Sequence, residues 1–219
     1  SHTLLYRNQG PWSVAPQTEN VVACNALPAT QAKLSGLYPA SIQQEGFCDE
    51  LAKRKNADEL LHQFAVVVED DKGELMAKPY HEVYAAQMGR VADLLEMAAG
   101  AIEADPNEEA YRTYLRAASK AFRDGSWFEA DEAWAAMNVN NSKWYLRIGP
   151  DEVYFEPCSR KAGFHVSFAL INQKSLDWQE KLDPLKQDME KAIAKKAGRP
   201  YRARKVSFHL PDFIDIILN

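Results

Sequence analysis

The chain has 219 residues, enough for one large domain or two small ones with a real core. Hydrophobic residues make up 46% and charged residues 26%, the usage of a folded protein and not of a disordered one. A net charge of −5 argues against a nucleic-acid-binding domain, and no run approaches the roughly 18 apolar residues of a membrane span, so a soluble protein is expected.

Residues 1–60 read as an extended, turn-rich segment, broken by Gly10, Pro11, Pro16, Pro28, Gly36, Pro39 and Gly46, with a short helix near 49–55. Residues 63–78 read as a hairpin. Phe64 to Val68 is apolar and β-branched, Asp70-Asp71-Lys72-Gly73 supplies the turn, and Glu74 to Ala77 returns.

Residues 80–137 read as helical. Val83, Met88, Val91, Leu94, Leu95 and Ala98 recur at helical spacing. Asp105 is an N-cap candidate, followed by Pro106 and Glu108, and Tyr111, Tyr114, Leu115 and Ala118 form one face. Ser126-Trp127-Phe128-Glu129 has the form of a second capping box, opening a helix through Met137.

Residues 144–219 read as a sheet plus one helix. Strands are expected at Trp144–Ile148, Glu152–Glu156, Phe164–Ile171 and Tyr201–Leu210. The helix runs from Asp183 to about Ala197 and stops at Gly198. With no repeat and no clear linker, the whole reads as a single α+β unit.

The three cysteines, Cys24, Cys48 and Cys158, form no CxxC and no zinc-type cluster. A Cys24–Cys48 bridge would leave Cys158 odd; the alternative is three packed or free thiols. A bridge would imply an oxidising compartment, and localisation stays open between the cytoplasm and export.

Five histidines, His2, His62, His81, His165 and His209, stand at no metal-binding spacing. His165, alternating with Val166, reads as a packed or rim residue. Nucleophile elbows, Walker loops and dinucleotide fingerprints are missing from the sequence. The basic run Arg199, Arg202, Arg204 and Lys205 reads either as an anion grip or as a solvated edge strand.

Glu152 and Tyr154 stand two apart in an expected strand, which would put both side chains on one side. A carboxylate beside a phenol suits an amine and a polarised carbonyl. An exposed strand face is the plainer reading of the same spacing.

Gly149-Pro150-Asp151-Glu152-Val153-Tyr154, followed by Lys161-Ala162-Gly163-Phe164-His165, resembles the dipeptidyl peptidase III family of zinc metallopeptidases. Gly36-Leu37-Tyr38-Pro39-Ala40 is similar to that family's entry loop. Gly73 to Tyr80, ahead of a long helix over Glu82–Ala104, follows the family order, as does Trp127–Met137 with Asp131 and Trp134. The resemblance covers most of residues 30–180. It implies one lobe of a two-lobed fold, with a β-barrel-like antiparallel sheet beside helices. It further implies that Glu152 binds the free amino terminus of a peptide and that Tyr154 hydrogen-bonds the developing oxyanion.

The sequence departs from the family pattern at Phe155-Glu156-Pro157-Cys158-Ser159, where an Arg-Asp-Pro-Phe-Gly-like loop is usual. It also contains no HExxGH or HExxH. Together with a start lacking Met and an apolar end at Ile216-Ile217-Leu218-Asn219, this leads to the expectation of an N-terminal piece. Its partners would be the C-terminal remainder of the polypeptide, which would hold the zinc, and a peptide or small-molecule substrate. The alternative is a non-catalytic peptide-binding module of the same fold.

Overall fold

A computed structural model of the chain describes residues 34–207 and 214–218, together with Trp12, residues 21–24 and Ala26. Most of the expected turn-rich segment before residue 34 lies outside the described residues, as do Phe208 and Leu210 of the last expected strand.

After a 3-10 turn at Ala40–Ile42, two short helices follow, α1 (Phe47–Ala52) and α2 (Ala57–Leu60). The expected hairpin forms as β1 (Ala65–Glu69) and β2 (Leu75–Pro79), paired antiparallel from Ala65↔Pro79 to Glu69↔Leu75. Asp70 closes its turn: the side-chain Oδ1 accepts from the amides of Lys72 and Glu74, both at 2.8 Å. Gly73 takes φ of 78°, which is why glycine suits that position.

Adjacent residues on a strand face opposite ways, and β1 uses both faces. Val66 joins a core with Tyr80, Leu95, Tyr114, Leu115 and Trp127. Val67 joins a second core with Tyr38, Leu51, Leu60 and Leu75. Burial on both sides accounts for the continuous apolar run at 65–68 where a half-exposed strand would alternate.

The helical region contains α3 (Tyr80–Val83), α4 (Ala85–Ala101), α5 (Glu109–Asp124) and α6 (Phe128–Ala136). On α5 the expected face is buried: Tyr111, Tyr114, Leu115 and Ala118, extended by Ala121 and Phe122. On α4 the buried line is Met88, Ala92, Leu95 and Ala99, while Leu94 and Ala98 face outward. Small residues win here because α4 and α5 pack side by side; the Ser119 hydroxyl donates to the Ala92 carbonyl at 2.9 Å.

Asp105 does cap, accepting from the Asn107 amide at 3.0 Å, but it opens a 3-10 turn at Pro106–Glu108 that leads into α5. The capping box at Ser126 does not form. Trp127 occupies the cap position without a side-chain bond, and the Ser126 amide donates instead to Asp124 Oδ1.

β3 (Trp144–Pro150), β4 (Phe164–Ile171) and β5 (Ile214–Leu218) make a second antiparallel sheet in the order β3-β4-β5. Between β4 and β5 lie α7 (Gln173–Leu182), a 3-10 turn at Asp183–Leu185, and α8 (Lys186–Ala197). The helix read from Asp183 is therefore the second of two. α7 is capped by Asn172, whose side chain accepts from the Ser175 amide.

Three expectations need correcting. Among the described residues no barrel closes: one sheet has two strands and the other three, with no pairing between them. Residues 152–156 are not a strand but part of a loop. Residues 201–207 form no strand; they lie against α8, where Glu190 accepts from Tyr201 Oη at 2.7 Å and the Arg204 amide at 3.0 Å. The α+β class stands. No described helix is long and apolar enough to cross a membrane.

Candidate functional site

β3 and β4 are joined by the connection 151–163, which holds both residues singled out from the sequence. The register ends at Gly149↔His165 and Pro150↔Phe164. Just beyond it, the Asp151 amide donates to the Gly163 carbonyl at 2.8 Å, and the Gly163 amide to the Glu152 carbonyl at 3.0 Å. The two roots of the loop are thus tied to each other.

The body of the loop is wound around one carboxylate. Glu156 is only 8% exposed. Its oxygens accept from the amides of Cys158 at 3.1 Å and Lys161 at 3.0 Å, and from the Arg160 amide. The Tyr38 hydroxyl donates to it at 2.8 Å across 118 positions of sequence. A buried carboxylate needs such donors. The β-branched and aromatic run at 153–155 looks like a strand locally. Gathering three following amides onto one side chain curls the chain instead, with Ser159 at φ of 50°.

Lys161 anchors the other arm. It is 1% exposed, and its Nζ donates to the carbonyls of Leu60 at 2.6 Å and His62 at 3.3 Å. It also lies 5.3 Å from the Tyr38 ring centroid. Burial pulls its pKa down to about 8, against a smaller opposing pull from Glu156. Burial, with help from Glu156, pushes the Tyr38 phenol upward. Next door, the Ala162 amide donates to the Gln63 carbonyl and the Tyr80 hydroxyl to the Ala162 carbonyl.

A disulfide completes the bracing. Cys48 on α1 is bonded to Cys158, 110 positions away, with Cα atoms 5.4 Å apart. Cys24 is the free, exposed thiol. This corrects the Cys24–Cys48 pairing: nearness in sequence does not choose the partner, and the fold brings Cys158 to α1.

Glu152 and Tyr154 face outward on this platform. Tyr154 is 61% exposed and Phe155 65%, their rings 4.4 Å apart between centroids. Glu152 is exposed as well. The alternation argument fails, since there is no strand. Both residues nevertheless belong to one short, exposed stretch. Sequence reading missed Glu156, Lys161, Tyr38 and Cys158 as its supports.

Two apolar grooves lie nearby. One of about 450 Å³ is lined by Leu37, Tyr80, Tyr84, Phe122, Phe164 and His165. Another of about 610 Å³ is lined by His62, Phe64, Tyr80, His81 and Trp127, with Asp58 and Glu59. Neither is lined by Glu152 or Tyr154. His165 is half-buried with Nε2 2.8 Å from Ser167 Oγ, in keeping with a rim residue. Among the described residues, no three His, Cys, Asp or Glu side chains gather to hold a metal ion. The described residues therefore do not fit a zinc site.

No protein-family model matches the chain, and no curated protein does. Solved structures do. Dipeptidyl peptidase III from Caldithrix abyssi matches with a TM-score of 0.64 and 26% identity, over 83% of this chain and 33% of that one. The dipeptidyl-peptidase III from Corallococcus sp. strain EGB matches with a TM-score of 0.68 and 20% identity, over 98% of this chain and 38% of that one. The chain thus has a dipeptidyl peptidase III-like fold and spans about a third of the length of those solved chains.

Proposed function

We propose that this chain is the N-terminal, peptide-holding part of a dipeptidyl peptidase III-like zinc-dependent hydrolase. Glu152 takes the ammonium of an unblocked peptide, and the Tyr154 hydroxyl donates to the neighbouring carbonyl oxygen. The zinc belongs, in this reading, to residues outside the sequence, and no step is assigned to it. What carries the proposal is the braced loop: an exposed carboxylate and phenol, close in sequence, on a connection fixed from beneath by Glu156, Lys161 and Cys158. Rigid presentation reduces the ordering cost of binding.

A carboxylate–ammonium contact contributes about 1.5–3 kcal/mol, or roughly 10- to 150-fold in affinity. Titration calorimetry with a short unblocked peptide and its N-acetylated form checks the assignment. The chain is expected to prefer the unblocked peptide, and Glu152→Gln to remove that preference. Equal binding of the two forms by the unaltered chain would remove Glu152 from the reading.

A further inference from the structure

We propose that the Cys48–Cys158 disulfide is a redox latch on the 151–163 loop, so that the peptide-holding surface is ordered when oxidised and loosened when reduced. The regulation rests on the reading above, while the latch itself rests on geometry alone.

The bridge ties the loop to α1, and Cys158 packs against the smaller core beside them. Cys158 is itself one of the amides gathered by Glu156, so the covalent tie and the carboxylate share a residue. At the other end, Cys48 follows Phe47, whose ring meets that of Tyr38 at 5.3 Å, edge to face. Tyr38 is the phenol that holds Glu156. Bridge, phenol and carboxylate therefore form one assembly between α1 and the loop.

With the bridge open, the outer arm of the loop keeps only the bonds around Glu156, from the amides of Cys158, Arg160 and Lys161 and from the Tyr38 hydroxyl. Local openings against so few contacts occur readily in folded proteins, while the body stays intact. With the bridge closed, the arm cannot leave without moving α1. The roots at Asp151, Glu152 and Gly163 do not depend on the bridge. Cys48 and Cys158 are both half-buried, within reach of a small thiol.

The chemistry balances with a dithiol as reductant. Its thiolate attacks one sulfur and breaks the Cys48–Cys158 bond; its second thiol resolves the mixed disulfide. Two electrons and two protons pass to Cys48 and Cys158 as thiols, and the reductant leaves as a disulfide.

Hydrogen–deuterium exchange on the intact chain, before and after dithiothreitol, tests the latch, with thiol titration counting the opening. The amides of Cys158, Arg160 and Lys161 are expected to exchange at least about tenfold faster once the bridge opens, with α5 unchanged. Unchanged protection in the loop would overturn the latch. So would a bridge that resists reduction in the folded chain, or unfolding of the whole chain on reduction, because either outcome makes it a fixed staple. The paired substitution Cys48→Ser with Cys158→Ser must reproduce the fast exchange without reductant. Calorimetry with the unblocked peptide separates the two claims. Weaker binding by the reduced chain supports the regulation. Fast exchange with no binding in either redox state keeps the latch and removes the peptide reading.

Discussion

Lys161 holds its charge against two carbonyl oxygens and an aromatic face, in a place too dry for a free ammonium. Its pKa of about 8 lies below the 10.5 of an open lysine. Between those values the unfolded chain binds more protons than the folded one, so stability rises with pH through that window. The buried phenols of Tyr38 and Tyr80 act in the opposite sense. Burial holds them protonated past their ordinary value of 10.0, so stability is lost as pH climbs above that value. Burial also raises Tyr84, Tyr111 and Tyr114, so chemical denaturation should show a midpoint that climbs from pH 8, turns over below about 10 and then falls. Lys161→Met should flatten the climb and leave the fall. A midpoint that declines steadily from pH 8 in the unaltered chain would contradict this account of Lys161.

Elements that are defined by their own sequence were legible: the 65–79 hairpin, the apolar face of α5 and the strands β3 and β4. In each, periodicity or turn chemistry within a few residues carries the information. The loop 151–163 was not legible, because what shapes it comes from far away. Tyr38, Leu60 and Cys48 reach it across about a hundred positions, and no local pattern records those contacts. The α4 face was misjudged for a related reason: only its partner helix decides that Ala92 and Ala99, not Leu94, turn inward. Gly149 shows the same dependence at the mouth of the loop. Its φ is 142°, and a Cβ there would lie 2.7 Å from the Trp127 ring. Wrong backbone region and overpacking together should make Gly149→Ala cost about 2–4 kcal/mol. A thermal melt would read this as a fall of roughly 4–16 °C for a chain this size. An unchanged melting temperature would mean that β3 does not cross Trp127 as described.

At the scale of the whole molecule, two cores meet at the hairpin, and the loop is fastened to both. Tyr38 and Leu60 belong to the smaller core, Tyr80 to the larger. The loop is consequently a fixed outcrop on the body of the protein, in a fold like that of about a third of a dipeptidyl peptidase III chain. Glu152 and Tyr154 stand on this outcrop, supported by Glu156, Lys161 and the Cys48–Cys158 bridge. In the proposed function, unblocked peptides are held on this outcrop. Amide chemical-shift mapping of the oxidised chain, titrated with a short unblocked peptide, tests it most directly. The largest shifts are expected at residues 151–163, with Glu152, Tyr154 and Phe155 foremost. Shifts confined to the grooves around Tyr84 or His81, or none at all, would contradict it.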